Sequence, residues 1–191
     1  MLAKHPVRML VTDRRRSTKP LDSFLPQAVK EFAVSAVLLR EKDLDRASLA
    51  ALAHSLLRVL PCPLILRAPP SWAVDVGASG VHCDASDAPV IRDGSERPFA
   101  LLGTSVHSRD EALVAQALGF DYAFFGPVLD TTKGGQRVRG VGLRALEEVC
   151  RAVELPIIAI GGMNEGSETA VLDSGARGWA AIRCFLPEGL G

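Results

Sequence analysis

Short, almost unbroken apolar runs recur along this chain, and most are followed by a segment of helical period. Eight such runs stand at residues 7–12 (VRMLVT), 36–40 (AVLLR), 63–67 (PLILR), 80–83 (GVHC), 99–106 (FALLGTSV), 122–128 (YAFFGPV), 156–160 (PIIAI) and 179–185 (WAAIRCF). Continuous apolarity, rather than in–out alternation, is the pattern of parallel strands covered on both faces. Helical stretches lie between them. Residues 43–60 place Leu49, Leu52, Leu56 and Val59 on one stripe, with His54 and Arg58 opposite. Residues 108–118 open with a capping serine and acidic residues and end at Gly119. Residues 143–153 stop before Pro156, and residues 168–174 stop at Gly175. The connections at 69–76 and 85–92 hold at most a couple of turns.

Eight strand–helix units predict an α/β chain, a compact single-domain (β/α)8 TIM barrel over residues 1–191. Only six residues follow Phe185, so the last helix is expected to be short, missing or supplied by a partner. A self-association surface, as in a homodimer, is expected there. The competing architecture is a doubly wound open sheet, which also alternates β and α. No G-x-G-x-x-G follows the first run, where Asp13-Arg14-Arg15-Arg16 stands instead, and eight strands close naturally at this repeat length.

Composition narrows the class of partner. Lys plus Arg and Asp plus Glu number 22 each, so no net charge favours nucleic acid or an acidic membrane surface. Hydrophobic residues make up 48% and charged residues 23%, which excludes wholesale disorder. No apolar run reaches the roughly 18 residues of a bilayer span, and residues 1–8 lack the apolar core of a secretory signal. The four cysteines show no C-x-x-C spacing, so neither a zinc knuckle nor a disulfide framework is implied, and a reducing cytoplasm suits them best.

Barrels of this kind carry their sites at the carboxyl ends of the strands. Reading those ends in order gives Thr12 and Asp13; Arg40, Glu41 and Lys42; Arg67 and Ala68; His82, Asp84 and Asp87; Ser105 and His107. Gly126-Pro127-Val128 follows, then Asp130, Thr131, Thr132 and Lys133, then Gly161-Gly162, and lastly Arg183 and Cys184. Arg40, Lys42, Lys133 and Arg183 gather on one rim, which suits a phosphorylated, anionic ligand. Gly161 and Gly162 let the backbone approach a phosphate closely, and a helix starting near Glu165 adds its positive end. A glycine pair needed only for chain reversal is the simpler reading, but the seventh strand is where barrels commonly hold phosphate.

Arg40 and Lys42, two residues apart, face the same side if the strand reaches them, and a solvated charge run accounts for them equally well. Lys133 sits in a glycine-rich, basic loop that either orders over an anion or stays exposed. His82 and His107 are candidate acids or bases near neutral pH, though histidine more often caps a strand or loop. Arg14, Arg15 and Arg16 read as solvated, and Cys184 as a small apolar filler.

The ordered set of Leu38-Leu39-Arg40-Glu41-Lys42, Gly77-Ala78-Ser79-Gly80-Val81-His82, Ser105-Val106-His107-Ser108 with Glu111-Ala112, Gly126-Pro127-Val128, Thr132-Lys133, Arg139-Gly140-Val141, Ile160-Gly161-Gly162 and Gly175-Ala176-Arg177-Gly178 resembles one family. It is the thiamine-phosphate synthase superfamily, which also holds the thiazole tautomerases, and the likeness runs from about residue 36 to the end. The resemblance implies a thiamine-biosynthesis barrel acting on small phosphorylated heterocycles. It assigns Arg40, Lys42, Lys133 and Thr131 or Thr132 to the pyrophosphate of hydroxymethylpyrimidine pyrophosphate. Ser105 falls to the reacting pyrimidine, and Gly161 and Gly162 to thiazole phosphate. The implied reaction is dissociative: pyrophosphate leaves, a pyrimidine carbocation forms, and the thiazole nitrogen attacks.

Departures from the family pattern are specific. Synthases carry an Asn-Asp pair after strand three, whose Asp binds magnesium; here Arg67 and Ala68 stand there. The second magnesium carboxylate matches Asp87, and one carboxylate is a poor site for a hard cation, so Mg2+ is only weakly implied. Arg67 offers a fixed cation in the ion's place. The synthase Gln of strand two is Leu38, and the strand-eight Ser is Arg183, which strengthens anion binding. The tautomerase branch shares Leu38 and Ser-Val-His-Ser, but its usual histidine after the strand-six glycine is Pro127 here, so His82 or His107 has to stand in. A non-catalytic barrel binding thiazole or thiamine phosphate is the remaining alternative.

Overall fold

Residues 6–87 and 100–185 are described by a computed structural model. Its centre is a closed barrel of eight parallel strands. Strands β1 (Val7–Val11), β2 (Ala36–Leu39), β3 (Leu64–Leu66), β4 (Gly80–His82), β5 (Leu101–Val106) and β6 (Tyr122–Phe125) follow one another around it. A two-stranded hairpin, β7 (Thr131–Lys133) and β8 (Gln136–Val138), stands outside the barrel, and β9 (Ile157–Ile160) and β10 (Gly178–Ala181) complete the ring. Closure is by β10 on β1, with Val7 opposite Gly178 and Leu10 opposite Ala181. Helices α1 (Leu21–Glu31), α2 (Arg46–Val59), α3 (Pro70–Val76), α4 (Arg109–Ala117), α5 (Leu143–Ala152) and α6 (Glu168–Asp173) cover the outside.

The unbroken apolar runs now have their reason. One buried cluster fills the barrel, with Met9, Val11, Leu38, Ile65, Leu101, Tyr122, Phe124 and Ile158. A second lies between barrel and helices and takes the alternate strand residues, among them Leu10, Val37, Leu39, Leu64, Leu66 and Ala159. An open sheet would leave two edges; here every barrel strand has two neighbours.

Capping follows the sequence. Asp45 accepts the Ser48 N–H at 2.8 Å before α2, and Ser108 accepts the Glu111 N–H at 3.2 Å before α4. The buried stripe of α2 is Leu49, Ala53 and Leu56, while Val59 is 42% exposed, so the expected stripe is displaced at its last turn, where Leu57 and Leu60 pack against the core instead. Helix α1 has no counterpart among the predicted helices. It buries Leu21, Phe24, Leu25, Ala28 and Val29, but Pro26 inside it breaks the local signal and tertiary packing overrides that cost. The last strand ends at Ala181, earlier than predicted, and a 3₁₀ turn follows at Arg183–Phe185, where Phe185 stacks on Trp179 at 5.0 Å. The expected short last helix, the end of the 85–92 connection and the start of the fifth run fall outside the described residues.

Two polar contacts tie the wall where the chain closes. Glu168 accepts the Arg8 guanidinium through both oxygens, at 2.6 and 2.9 Å, and the Trp179 indole N–H at 2.7 Å. Those hydrogen bonds, Arg8 first, hold the Glu168 carboxyl below its ordinary value.

Candidate functional site

At the carboxyl rim, strand register decides which side chains meet. Leu39 lies opposite Leu66, and the Arg67 N–H continues the ladder to the Leu39 carbonyl at 2.9 Å. Leu38 and Ile65 point into the barrel, so the residues two further on, Arg40 and Arg67, emerge on the same inner side. Glu41, between Arg40 and Lys42, turns the other way. Its buried carboxylate accepts the Thr12 hydroxyl at 2.6 Å and the Arg14 N–H at 3.1 Å, which pins the ends of β1 and β2 together. Burial pushes the Glu41 carboxyl up, against those two hydrogen bonds.

The cations feel one another. Burial, and then the Arg67 guanidinium, lower the Arg40 value. Arg40, followed by partial burial, Lys133 and Arg67, lowers Lys42. Arg40, Lys42, Arg67 and Lys133 thus lie near enough for repulsion to be felt, an arrangement that an anion relieves. Arg67 is held there by Asp84, whose carboxylate accepts its guanidinium at 2.7 Å.

A second surface of the rim encloses a cavity. This cavity of about 490 Å3 is lined by Gly161, Gly162, Thr131, Thr132, Arg183, Arg16, Arg137, Asp130 and the end of β10. The carbonyls of Ile160 and Gly161 accept the N–H groups of Val128 and Leu129 at 2.9 and 3.0 Å. In a trans peptide the next N–H points the opposite way, so the Gly161 and Gly162 amides turn toward β10 and the cavity. Both glycines have positive φ, 94° and 71°, and a Cβ on Gly162 would come within 2.6 Å of the Asp130 carbonyl oxygen. Both the conformation and the space require glycine. Arg183 reaches the same cavity and donates to the Thr131 hydroxyl at 3.3 Å.

At the expected helix start, Asn164 caps the 3₁₀ turn Glu165–Ser167 with a reciprocal Ser167 bond, so the Asn164 and Ser167 amides already have acceptors. Acidic Glu165 and Glu168 lie at the same turn. Arg16, expected to be solvated, is 35% exposed at its side chain, lines the cavity and is held by Asp13 at 3.1 Å.

Between the two surfaces runs a hydrogen-bonded chain that the sequence reading missed. Ser105 Oγ lies 2.9 Å from His82 Nε2, and His82 Nδ1 lies 3.1 Å from the Tyr122 hydroxyl. Ser105 is exposed to the rim, whereas His82 and Tyr122 are buried. Burial, helped by Arg67 and Arg40, pushes His82 down to about 3, so its ring is neutral at ordinary pH. Tyr122 fits because Gly103 opposite it has no side chain; a Cβ there would overlap the phenol ring. Tyr122 reads as one more apolar strand residue, so nothing local signals this role.

The remaining candidates sit apart. The exposed His107 faces the strand-six end through a 2.8 Å contact between Nδ1 and the Gly126 carbonyl, and its backbone N–H is capped by Glu111. Thr132 and Lys133 lie on the exposed hairpin rather than in an irregular loop. Gly134 and Gly135, both at positive φ, form its two-residue turn, a signal that was readable in advance. Asp130 secures the hairpin base, accepting the Arg137 guanidinium at 2.7 Å and the Gly140 N–H at 2.9 Å.

The donor set does not fit a magnesium ion. Ala68 offers no ligand, Asp84 is bridged to Arg67, and Asp87 stands on a 3₁₀ turn, half-exposed. Among the described residues no group of three or more His, Cys, Asp or Glu is placed to hold a metal.

Comparison with known proteins agrees with the barrel fold. The thiamine monophosphate synthase family profile matches residues 8–185. The thiamine-phosphate synthase of Chlamydia caviae is 33% identical over 183 residues, covering 93% of this chain and 85% of that protein. That of Methanosarcina barkeri is 34% identical over 185 residues, covering 93% and 81%. The solved structure of thiamine phosphate pyrophosphorylase from Pyrococcus furiosus superposes with a TM-score of 0.80 at 26% identity, over 97% of this chain and 90% of that one.

Proposed function

Since this chain belongs to the thiamine monophosphate synthase family, we propose that it joins thiazole phosphate to hydroxymethylpyrimidine pyrophosphate and releases pyrophosphate. The observation that carries this reading is the pair of anion-binding surfaces on one rim, bridged by the hairpin that bears Thr131 and Lys133. Arg40, Lys42 and Lys133 take the pyrophosphate. The amides of Gly161 and Gly162, with Arg183 and Thr131, take the thiazole phosphate. Ser105 stands between them, oriented by the neutral His82, and accepts or donates a hydrogen bond at the pyrimidine.

The chemistry asked of these groups is electrostatic. The methylene C–O bond breaks with its electron pair going to the pyrophosphate oxygen, and clustered cations stabilise that leaving charge. The thiazole nitrogen lone pair then forms the C–N bond, leaving a thiazolium, and no strong base is needed. Purified protein incubated with both substrates and magnesium is expected to form thiamine phosphate. Absence of product while thiazole phosphate binds tightly would overturn the transferase reading.

A thiazole tautomerase is the second reading, and one contact favours it. Pro127 holds no transferable proton, yet the His107 ring is fastened on the Gly126 carbonyl beside it. In that case thiazole isomerisation, followed spectroscopically, proceeds without the pyrimidine substrate and fails in His107→Asn.

A further inference from the structure

Building on the transferase reading, we propose that the pyrophosphate subsite works without an obligatory divalent ion, the Arg67 guanidinium, clamped by Asp84, supplying the positive charge that a metal would bring. The placement is a consequence of the backbone. The Arg67 N–H is still bonded to β2 through the Leu39 carbonyl, so the start of its side chain is fixed beside Arg40. Its far end is fixed by Asp84 at 2.7 Å and lies 3.5 Å from the His82 carbonyl oxygen. The guanidinium is thus preorganised, with its side chain only 29% exposed.

The same contact works against the alternative among the described residues. A hard dication needs several oxygen ligands, and one Asp84 oxygen is already engaged by Arg67. A dication brought beside this carboxylate would also meet Arg67 and Arg40, like charges in a partly desolvated setting. A pyrophosphate, in contrast, meets a planar fork whose remaining N–H groups suit phosphate oxygens, next to Arg40 and Lys42. Arg67 is in this sense a substitute for the ion, built into the strand end.

Inorganic pyrophosphate is the probe, titrated calorimetrically into the full chain with a chelator or with magnesium. Binding in the chelator, little changed by magnesium, is expected. Arg67→Ala is expected to weaken metal-free binding about tenfold to a hundredfold. Because Asp84 is released in that variant, magnesium should restore part of its affinity. Arg67→Lys should retain intermediate metal-free binding, and Arg67→Gln, which keeps a donor for Asp84, replaces Arg67→Ala if the latter does not fold. Native binding that requires magnesium, or metal-free binding unchanged by loss of the guanidinium, would overturn the proposal. Turnover separates it from the reading it rests on. Product formed only with magnesium keeps the synthase and sinks the metal-free subsite. Metal-free pyrophosphate binding through Arg67 with no product under either condition does the reverse.

Discussion

The two proposed anion-binding surfaces of this barrel are made of different materials. On the β9–β10 side, the main chain at Gly161 and Gly162 lines a cavity of about 490 Å3. On the β2–β3 side, long cationic side chains converge, and burial, followed by the neighbouring Arg67 guanidinium, lowers the Arg40 value. A backbone site has no side-chain freedom to lose and costs little to organise. A side-chain site has to be held in place by partners, here Glu41 at its base and Asp84 at its edge. Binding that leaves the ligand unchanged is well served by the first construction. Developing charge on a leaving group is better served by the second, because mobile or clustered cations strengthen as the charge grows.

Four substitutions put this contrast to the test. The largest effect is expected on the cationic side: Arg40→Ala or Lys133→Ala should lower kcat about a hundredfold to a thousandfold. Thiazole phosphate affinity should stay nearly native, as read by equilibrium binding; an equal loss in both would merge the two surfaces into one. Next comes Gly162→Ala, whose Cβ meets the Asp130 carbonyl and the Leu129 side chain at 2.6 and 2.7 Å. Thiazole phosphate binding should fall at least about tenfold, while inorganic pyrophosphate still binds. Arg183→Ala is milder, since its guanidinium contacts to Thr131 and Thr132 are long, 3.3 and 3.4 Å. KM for thiazole phosphate should rise about tenfold with kcat held, and the salt dependence of KM should flatten.

The smallest effect concerns the shared wall. His82 is lowered to about 3 against an ordinary value of 6.5, so the unfolded chain takes up a proton in that window and the folded one does not. Stability is therefore lost as pH falls from 6.5 toward 3. His82→Gln should cost about 1–3 kcal/mol at neutral pH through the partners it leaves, Ser105 and Tyr122. It should also remove most of that pH slope in thermal melts; an unchanged slope would mean that His82 is not the group responsible. At the opposite wall, Glu168 behaves in the other sense. Its depressed carboxyl stabilises the fold above its ordinary value of 4.5, and that contribution disappears as pH falls below it.

Much of the barrel was readable in advance, because strands buried on both faces announce themselves as apolar runs. Where the reading missed, a competing principle won. Pro26 hid α1, whose five buried residues pack regardless. Val59 fits the period of α2 but is exposed, and Leu57 and Leu60 pack against the core there instead. The hairpin was legible from Gly134 and Gly135 and went unread because basic residues around them suggested a loose loop. Arg16 sits in a run of three arginines, and nothing in that run distinguishes it as the one that lines the cavity.

The order of strand–helix units, settled in the amino-acid pattern, was enough to bring all the strand-end residues to one rim, since parallel closure points every strand the same way. Read beside the family resemblance, it offered Arg40, Lys42, Ser105, Lys133, Gly161, Gly162 and Arg183 as candidates for that rim's chemistry. Which of them touch was decided only when the ring closed in its register. Arg67 finds Asp84 across 17 residues of sequence, and Arg183 finds Thr131 across 52. Contacts at such separations depend on stagger and on which face a side chain leaves, quantities set by packing around the whole barrel and carried by no local stretch of sequence.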